Sequence, residues 1–245
     1  MRLWKSWLLA RKDMKILIRR RSLVGGLLVL PLLLGIGLPA ILEYIVLKKG
    51  VHSPEVVHLL GAFAFFFVLI SVVLPLYISS YSIVGEKLEK SMEPLLSTPT
   101  SDEEILFGKY IGVFIPAIIA IYVGTGVFMI MADVFTSGSL GYYYYPNQSF
   151  GIIVLIAVPL ACLYAISFSV FVSAKVNSTQ TAYQLGVLTV VPFFILYVLG
   201  EIGIVSLVSD TNILIISAAL LVMAVVMFFV SRATFKREEI LTSWK

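Results

Sequence analysis

The chain has 245 residues, of which 60% are apolar and only 13% are charged, and its net charge is +4. Soluble domains average about 45–50% apolar and about 25% charged residues, so this composition excludes an ordinary soluble protein. The 18 basic and 14 acidic residues all lie outside six long runs that contain no Asp, Glu, Lys or Arg. The low mean charge therefore averages two kinds of segment, one uncharged and one as polar as soluble protein.

Each of the six runs is long enough to cross the roughly 30 Å hydrocarbon layer as a helix, because a helix rises about 1.5 Å per residue. A soluble helical bundle would keep a polar face on each helix, and these runs have none. The sequence therefore predicts an all-α membrane protein with six transmembrane helices. The predicted spans are 23–42, 59–84, 110–132, 150–174, 182–200 and 213–231.

The segment before the first span, residues 1–21, forms one predicted unit, and the six-helix transmembrane domain over 22–245 forms the other. Apolar residues recur in the first unit every three or four positions, opposite a face of Lys and Arg. This spacing predicts an amphipathic helix that lies in the membrane interface. The alternative is a plain basic flank. The recurring apolar positions are Leu3, Trp7, Ala10, Met14 and Leu17.

Basic residues near the ends of spans mark the cytoplasmic side of a membrane. An inside N-terminus places 16 of the 18 Lys and Arg residues in the cytoplasm and leaves only Lys48 and Lys49 outside. Both termini of this multi-pass plasma-membrane protein are therefore predicted to be cytoplasmic. The basic net charge then follows from topology and from contact with anionic membrane lipids, and no nucleic-acid partner is expected.

Two external connections have unusual compositions. The first contains the run Tyr142 to Tyr145, and aromatic residues at the water boundary are usually membrane anchors. The second, residues 201–212, contains an apolar stretch that is too short to span the bilayer. A re-entrant or interface-lying turn is expected there.

The sequence predicts no catalytic, cofactor-binding or metal site in this chain. Ionisable residues inside spans are usually functional, and the six predicted spans contain none. The two histidines, His52 and His58, lie in or at the edge of the first external loop and are not expected to face a catalytic serine, an acid or a second ligand cluster. Gly108 and Lys109 lack the upstream glycine and the following hydroxyl of a phosphate-binding loop. If ATP drives this protein, another polypeptide must hydrolyse it.

The connection between spans two and three, residues 85–109, breaks the positive-inside trend because it contains six acids and three lysines. After its first charges comes a short apolar segment, residues 92–96. Ser101, followed three residues later by Glu104, forms a capping box that predicts the start of a helix leading into span three. We expect a short helix held crosswise between two span ends, with Leu95 and Leu96 exposed to a partner. A solvated acidic loop is the alternative.

This connection resembles the segment that follows the second helix of ABC-2 type permeases, the membrane subunits of a class of ABC exporters. The similarity extends to the basic N-terminal helix, the six spans and the apolar external turn before span six. Neither the fused ATPase nor the large external domain of some family members is present in this sequence. The matching residues are 85–87 (Gly-Glu-Lys), 93–101 (Glu-Pro-Leu-Leu-Ser-Thr-Pro-Thr-Ser), 104–106 (Glu-Ile-Leu) and 108–109 (Gly-Lys).

The resemblance implies that the 86–104 loop contains a coupling helix seated on a separate ABC ATP-binding subunit, present in two copies, which would bind ATP and Mg. It also implies that two permease copies, a homodimer or a pair of paralogues, form the translocation path along spans two and five. The implied coupling residues are Glu86, Glu89, Glu93, Leu95, Leu96, Pro99, Ser101 and Glu104. The path candidates, chosen by polarity, are Ser71, Ser79, Ser82, Gln184, Thr189 and Tyr197. Each path candidate could instead bond to a neighbouring helix.

The resulting hypothesis is a permease subunit of an ATP-driven exporter. Its uncharged interior favours a lipid-like, amphipathic or drug- or peptide-like cargo over a small ion. The alternative function is a membrane anchoring or assembly protein that transports nothing.

Overall fold

The computed structural model describes residues 3–49, 53–88, 100–176 and 178–235, and these residues form helices and connecting turns without a strand. Six of the helical stretches are long and apolar enough to cross a membrane, which confirms the predicted fold class and the number of spans. The helical stretches of the described residues, of which α2 to α7 are the six candidate spans, are α1 (Leu3–Arg19), α2 (Arg21–Lys49), α3 (Ser53–Leu88), α4 (Asp102–Leu140), α5 (Gln148–Lys175), α6 (Thr179–Glu201) and α7 (Asp210–Thr234). Each predicted span lies inside one of the helices α2 to α7.

The apolar side chains of the first helix, α1, divide between two surroundings. Ala10 and Leu17 are buried against the rest of the chain, whereas Trp4, Trp7 and Leu8 are about half exposed. Arg20 lies outside regular helix, so α1 and α2 are separate elements. The interfacial position of α1 stays a prediction.

Helix α3 is the centre of the bundle. Of the residues in its apolar 18-residue stretch, 83% are buried inside the chain. The corresponding share is 28% for α2 and 22% for each of α6 and α7. It packs against α2, α4, α5 and α6, which surround it. The outer helices leave large apolar side chains exposed because lipid is as apolar as leucine and does not penalise them.

Helices α3 and α4 are longer than a membrane requires. They contain 36 and 39 residues, which correspond to about 54 and about 58 Å of helix. Both therefore extend beyond a hydrocarbon layer of about 30 Å. We call the end of the bundle at which α3 ends and α4 begins the loop end, because residues 89–101 connect the two helices there. The predicted short helix over residues 92–96 lies outside the described residues. The opposite end, which contains Tyr142 to Tyr145, is called the tyrosine end.

Two of the helices depart locally from α geometry, and a proline explains each departure. A π turn over Ile153–Ala157 lies in α5, between the α-helical segments Gln148–Ile152 and Val158–Lys175. A 3₁₀ turn over Leu188–Val190 lies in α6, between Thr179–Val187 and Val191–Glu201. Pro159 and Pro192 follow these turns closely. Proline has no N–H to donate and its ring clashes with the carbonyl four residues earlier, which lies in the altered turn in both cases.

The pairing of α2 with α4 depends on glycine. A Cβ atom placed on Gly124 would lie 2.5 Å from Cβ of Pro31 and 2.7 Å from the Pro31 carbonyl oxygen. A Cβ atom on Gly35 would lie 2.6 Å from the Gly124 carbonyl oxygen. The two backbones are thus in direct contact, the arrangement that small residues permit between membrane helices.

The tyrosine end is held by hydrogen bonds. Asp133 Oδ1 accepts from the backbone N–H groups of Tyr144 and Tyr145, each at 3.0 Å. The Tyr145 hydroxyl donates to the Leu60 carbonyl at 3.1 Å, and this side chain is buried. Ser149 Oγ donates to the Val208 carbonyl at 2.8 Å and is bonded to Asp210.

The tyrosine run therefore divides into two halves. Tyr142 and Tyr143 are exposed, as membrane anchors would be, whereas Tyr145 packs into the core beside Phe128 and Phe150. The expected role as anchors does not extend to Tyr145. Burial raises the pKa of the Tyr145 hydroxyl well above its ordinary value, and the adjacent Tyr144 and Asp133 raise this pKa further.

The turn before α7 folds back onto the bundle. Gly203 adopts φ 82°, a left-handed conformation that glycine adopts without strain. Leu207 is buried beside Gly200, while Ile202 and Ile204 are exposed. The exposed pair agrees with an apolar turn at a membrane surface, and the re-entrant or interfacial placement stays a prediction.

Replacing Gly124 by Ala should destabilise the protein by about 1–3 kcal/mol, because the new methyl group must push α2 away from α4. Gly126→Ala is the matched control, since nothing lies within 4 Å of a Cβ atom at that position. It should be neutral or stabilise the helix by up to about 1 kcal/mol. SDS-induced unfolding followed by circular dichroism measures both. Equal stabilities for the two variants would show that the α2–α4 contact is looser than described.

Replacing Tyr145 by Phe should cost about 1 kcal/mol at neutral pH through the lost hydrogen bond. The folded-state pKa of Tyr145 is raised, so the folded protein keeps a proton that the unfolded chain releases above about pH 10. This stabilisation is complete below that pH and is lost as the pH rises through the folded-state pKa.

The free energy of unfolding of the Phe variant should therefore fall less steeply above about pH 10, by at most about 1.4 kcal/mol per pH unit. Unfolding titrations between neutral pH and about pH 11 measure the slope. Tyr143→Phe, at an exposed position, should change the stability by less than about 0.5 kcal/mol. Identical slopes for wild type and the Tyr145 variant would contradict the buried placement.

Candidate functional site

A buried ionic cluster joins three helices at the loop end. Lys109 of α4 is 1% exposed, and its Nζ lies 3.2 Å from Oδ2 of Asp13 on α1. The same Nζ donates to the carbonyl oxygen of Ser82 on α3 at 2.9 Å and contacts the Ser82 hydroxyl at 3.2 Å. The Ser82 hydroxyl in turn donates to Asp13 Oδ2 at 3.0 Å. We call Asp13, Ser82 and Lys109 the junction cluster.

The number of acceptors in the junction cluster matches the number of protons on the buried lysine ammonium. A lysine ammonium has three protons to donate, and the Asp13 carboxylate, the Ser82 carbonyl and the Ser82 hydroxyl provide three acceptors. Burying an ammonium without such partners costs several kcal/mol, and removing one partner of a buried pair is strongly destabilising. The cluster therefore ties α1, α3 and α4 to one another.

Two glycines on α4 bring α1 close enough for this contact. A Cβ atom on Gly108 would lie 2.8 Å from Cδ2 of Leu9 and 2.9 Å from the Ser6 carbonyl oxygen. A Cβ atom on Gly112 would lie 3.2 Å from Cβ of Asp13. The spacing of four residues places both glycines on one face of α4, so that α1 lies directly on its backbone.

The start of α4 is fixed by the predicted capping box, which the structure confirms. The backbone N–H of Glu104 donates to the Ser101 hydroxyl at 3.2 Å, and the Ser101 N–H donates to Glu104 Oε2 at 3.2 Å. Glu103, in the same turn, forms an ion pair with Arg232 near the end of α7. The first turn of α4 is thus attached to the last spanning helix.

Most of the implied coupling residues lie where the structure gives no contacts. Glu86 belongs to the last turns of α3, and its side chain is not described. Ser101 and Glu104 form the capping box, one and four residues after residue 100, where the described chain resumes. The remaining residues, Glu89, Glu93, Leu95, Leu96 and Pro99, lie outside the described residues.

The polar candidates for a translocation path do not come together. Ser71 is buried and donates to the Val68 carbonyl in its own helix, and Thr189 likewise donates to the Gly186 carbonyl. Ser79 is buried and has no hydrogen-bond partner among the described residues, and Ser82 belongs to the junction cluster.

Two candidates on α6 remain at the surface. Gln184 is exposed, and Tyr197 is partly buried with its ring 4.6 Å from that of Phe66 on α3. The α3–α6 surface therefore offers an aromatic contact at Tyr197 and an amide at Gln184.

Of the junction cluster, only Ser82 is among the predicted site residues, where it is a candidate for the translocation path, whereas Asp13 and Lys109 are not predicted. Lys109 lies just before the predicted start of span three, yet it belongs to the candidate span Asp102–Gly138 and is buried. Asp13 is the single acid among eight bases before the first span. An isolated acid in a basic amphipathic helix and a lysine beside an apolar run are the sequence signals that could have indicated the pair.

The described residues contain no group of three or more His, Cys, Asp or Glu side chains arranged to hold a metal ion. Cys162 is buried in α5. The contacts at the loop end hold helices to one another.

Residues 7–215 match a protein family described as ABC-2 family transporter protein. The match begins in α1, includes α2 to α6 and ends in the first turns of α7. A search of curated proteins finds no match to this chain.

Replacing Lys109 by Met should destabilise the protein by about 3–5 kcal/mol, because Asp13 remains buried without its cation. Combining this change with Asp13→Leu should restore most of the loss, since apolar groups can replace a buried ion pair at little cost. SDS unfolding of both single variants and the double variant measures the coupling. Lys15→Met, at an exposed position of α1, is the control and should change stability by less than about 0.5 kcal/mol. A double variant as unstable as the sum of the single variants would contradict the junction.

Proposed function

The chain belongs to the ABC-2 transporter family, and we propose that it is the permease subunit of an ATP-driven exporter in the plasma membrane. Members of this family are membrane transport components that work with an ABC ATP-binding subunit. The observation that carries the proposal is the family match over residues 7–215, which includes α1 and the first five spanning helices. In this proposal ATP and Mg bind to the separate subunit, present in two copies.

The junction cluster supports a route for force from the ATPase. Residues 89–101 connect α3 to α4, and Ser82 and Lys109 stand on the two helices that flank this connection. A push on the connection would act on α3 and α4 together, because the buried cation holds them. Asp13 adds α1 to the same unit. The coupling residues proposed for this contact are those of the 86–104 loop.

The proposed orientation places the loop end and both termini in the cytoplasm. The basic residues of α1 would then contact anionic lipid phosphates. The half-exposed Trp4 and Trp7 would lie at headgroup depth, where tryptophan is enriched.

Dimerisation is proposed through the outer helices rather than through α3. Helix α6 exposes a row of large apolar side chains, among them Leu188, Phe194 and Ile195. A second permease copy, identical or paralogous, would form the path where α3 reaches the surface beside α6. Tyr77 is 37% exposed there and packs edge-on against Tyr183. This aromatic, uncharged surface favours a lipid-like, amphipathic or drug- or peptide-like cargo.

Copurification tests this function. The tagged full-length chain should retain an ABC ATP-binding subunit encoded by the same cells, and Glu93→Arg or Leu95→Ala should reduce the retained amount by about tenfold or more if either is a central contact. Glu55→Arg is the matched charge control, because Glu55 is exposed in the first turn of α3, at the other end of the molecule.

An ATPase assay of the reconstituted complex gives the second readout, since the loop variants should lose the stimulation of hydrolysis by transport. If the wild-type chain retains no ATP-binding subunit, the exporter proposal is refuted and an anchoring or assembly role is favoured. Unchanged retention and hydrolysis in both loop variants would refute the coupling role of these two residues.

A further inference from the structure

A groove of about 600 Å³ lies between α4, α5 and α7, on a different part of the chain from the proposed path beside α6. This volume is within the range of about 300–1,000 Å³ that is common for small-molecule sites. Nearly all of its wall is apolar, and five of its side chains are aromatic. The groove is lined by Phe107, Tyr110, Ile111, Phe114, Ile115, Leu160, Leu163, Ser167, Leu221, Ala224, Val225, Phe228 and Phe229.

The two hydroxyls of the wall are already bonded within the protein. The Tyr110 hydroxyl lies 2.7 Å from Ser231 Oγ, and Ser167 Oγ donates to the Leu163 carbonyl at 2.8 Å. A sugar or a peptide would bury its own polar groups here without partners, which costs free energy. A hydrocarbon chain has no such groups to satisfy.

The wall formed by α7 faces the surroundings of the bundle. Leu221, Val225 and Phe229 are 50%, 46% and 58% exposed, and all three belong to a candidate membrane span. The groove therefore opens sideways toward the hydrocarbon layer, so the molecules that reach it from the membrane are lipids.

The loop end of the groove is marked by an ion pair of defined position. Glu103 precedes Phe107 by one helical turn, and Arg232 follows Phe228 by one turn, so each charge shares a helix face with a side chain of the wall. The rings of Phe107 and Phe228 are in contact, with centroids 5.8 Å apart. The Glu103 and Arg232 side chains are 45% and 50% exposed. A positive and a negative side chain therefore lie together, both accessible, at the loop end of the groove.

We propose that this groove binds a phospholipid with a zwitterionic, amine-bearing headgroup. One acyl chain lies between α4, α5 and α7, the phosphate contacts Arg232 and the ammonium contacts Glu103. An amine-bearing headgroup gives Glu103 and Arg232 one partner each, whereas a headgroup whose only charge is the phosphate would place a second anion beside Glu103. The site does not depend on the proposed transport function, and it links the lipid to the first turn of α4.

Lipid titration with native mass spectrometry of the detergent-purified full chain tests the proposal. Dioleoylphosphatidylethanolamine should bind more tightly than dioleoylphosphatidylglycerol. Val225→Trp, which fills the groove, should weaken binding of the first lipid by about tenfold or more, or about 1.4 kcal/mol. Val222→Trp is the matched control, because Val222 is 62% exposed on the same helix and does not line the groove. It should bind as wild type does.

A second variant tests the headgroup contacts without altering the wall. The double change Glu103→Gln and Arg232→Gln should remove the preference between the two lipids while leaving a bound lipid. The proposal is overturned if Val225→Trp binds the ethanolamine lipid as tightly as Val222→Trp does, or if the wild-type chain binds the glycerol lipid equally well. It is also overturned if Val225→Trp changes the mass of the oligomer but not lipid binding, because the groove would then be an interface between copies.

Discussion

The ammonium of Lys109 is the group on which the arrangement of the loop end depends. It sits in a region where an unpaired charge would cost several kcal/mol, and it is surrounded by Asp13 and by two oxygens of Ser82. No one of α1, α3 and α4 can withdraw without leaving a buried charge or a buried acceptor behind. Gly108 and Gly112 reinforce the constraint, since they let the backbone of α1 lie against α4. The three helices are therefore expected to move as one body or to remain in place.

The two ends of the bundle are held by different chemistry. At the loop end the bonds are ionic and involve α1, whereas at the tyrosine end neutral hydroxyls and the carboxylates of Asp133 and Asp210 close the turns around Tyr145 and Ser149. Between them α3 is enclosed by its neighbours, and the outer helices present apolar side chains outward. A displacement of the α1–α3–α4 unit would thus be transmitted along α3, which contacts almost every other spanning helix.

The six spans could be predicted from the sequence because they depend only on whether a segment is stable in lipid or in water. A run without charges has to be a helix in lipid, so the six spans and their approximate ends follow from composition. The capping box at Ser101 is equally local, because both of its partners lie within one helical turn. The pair of Asp13 and Lys109 is different: two membrane spans separate the residues in sequence, and only tertiary packing brings them together.

Local patterns also misplace residues whose role depends on what packs against them. Gly108 and Lys109 resemble an incomplete phosphate loop in the sequence, yet in the fold they provide a seat for α1 and a buried cation. Tyr145 belongs to a run of four tyrosines that suggests anchoring, and only its position under Leu60 and beside Phe150 makes it a core residue. The polar residues on α3 show the same limit, since Ser71 bonds to its own helix and Ser82 to the junction.

The exposed tryptophans of α1 give the protein an intrinsic optical reporter. The chain has three tryptophans, and two of them, Trp4 and Trp7, are about half exposed on the helix that the junction cluster attaches to α3 and α4. Replacing Trp244 would confine the tryptophan emission to this one helix. Its wavelength and its quenching by brominated lipid would then report, without a dye, whether α1 lies in the membrane interface as predicted.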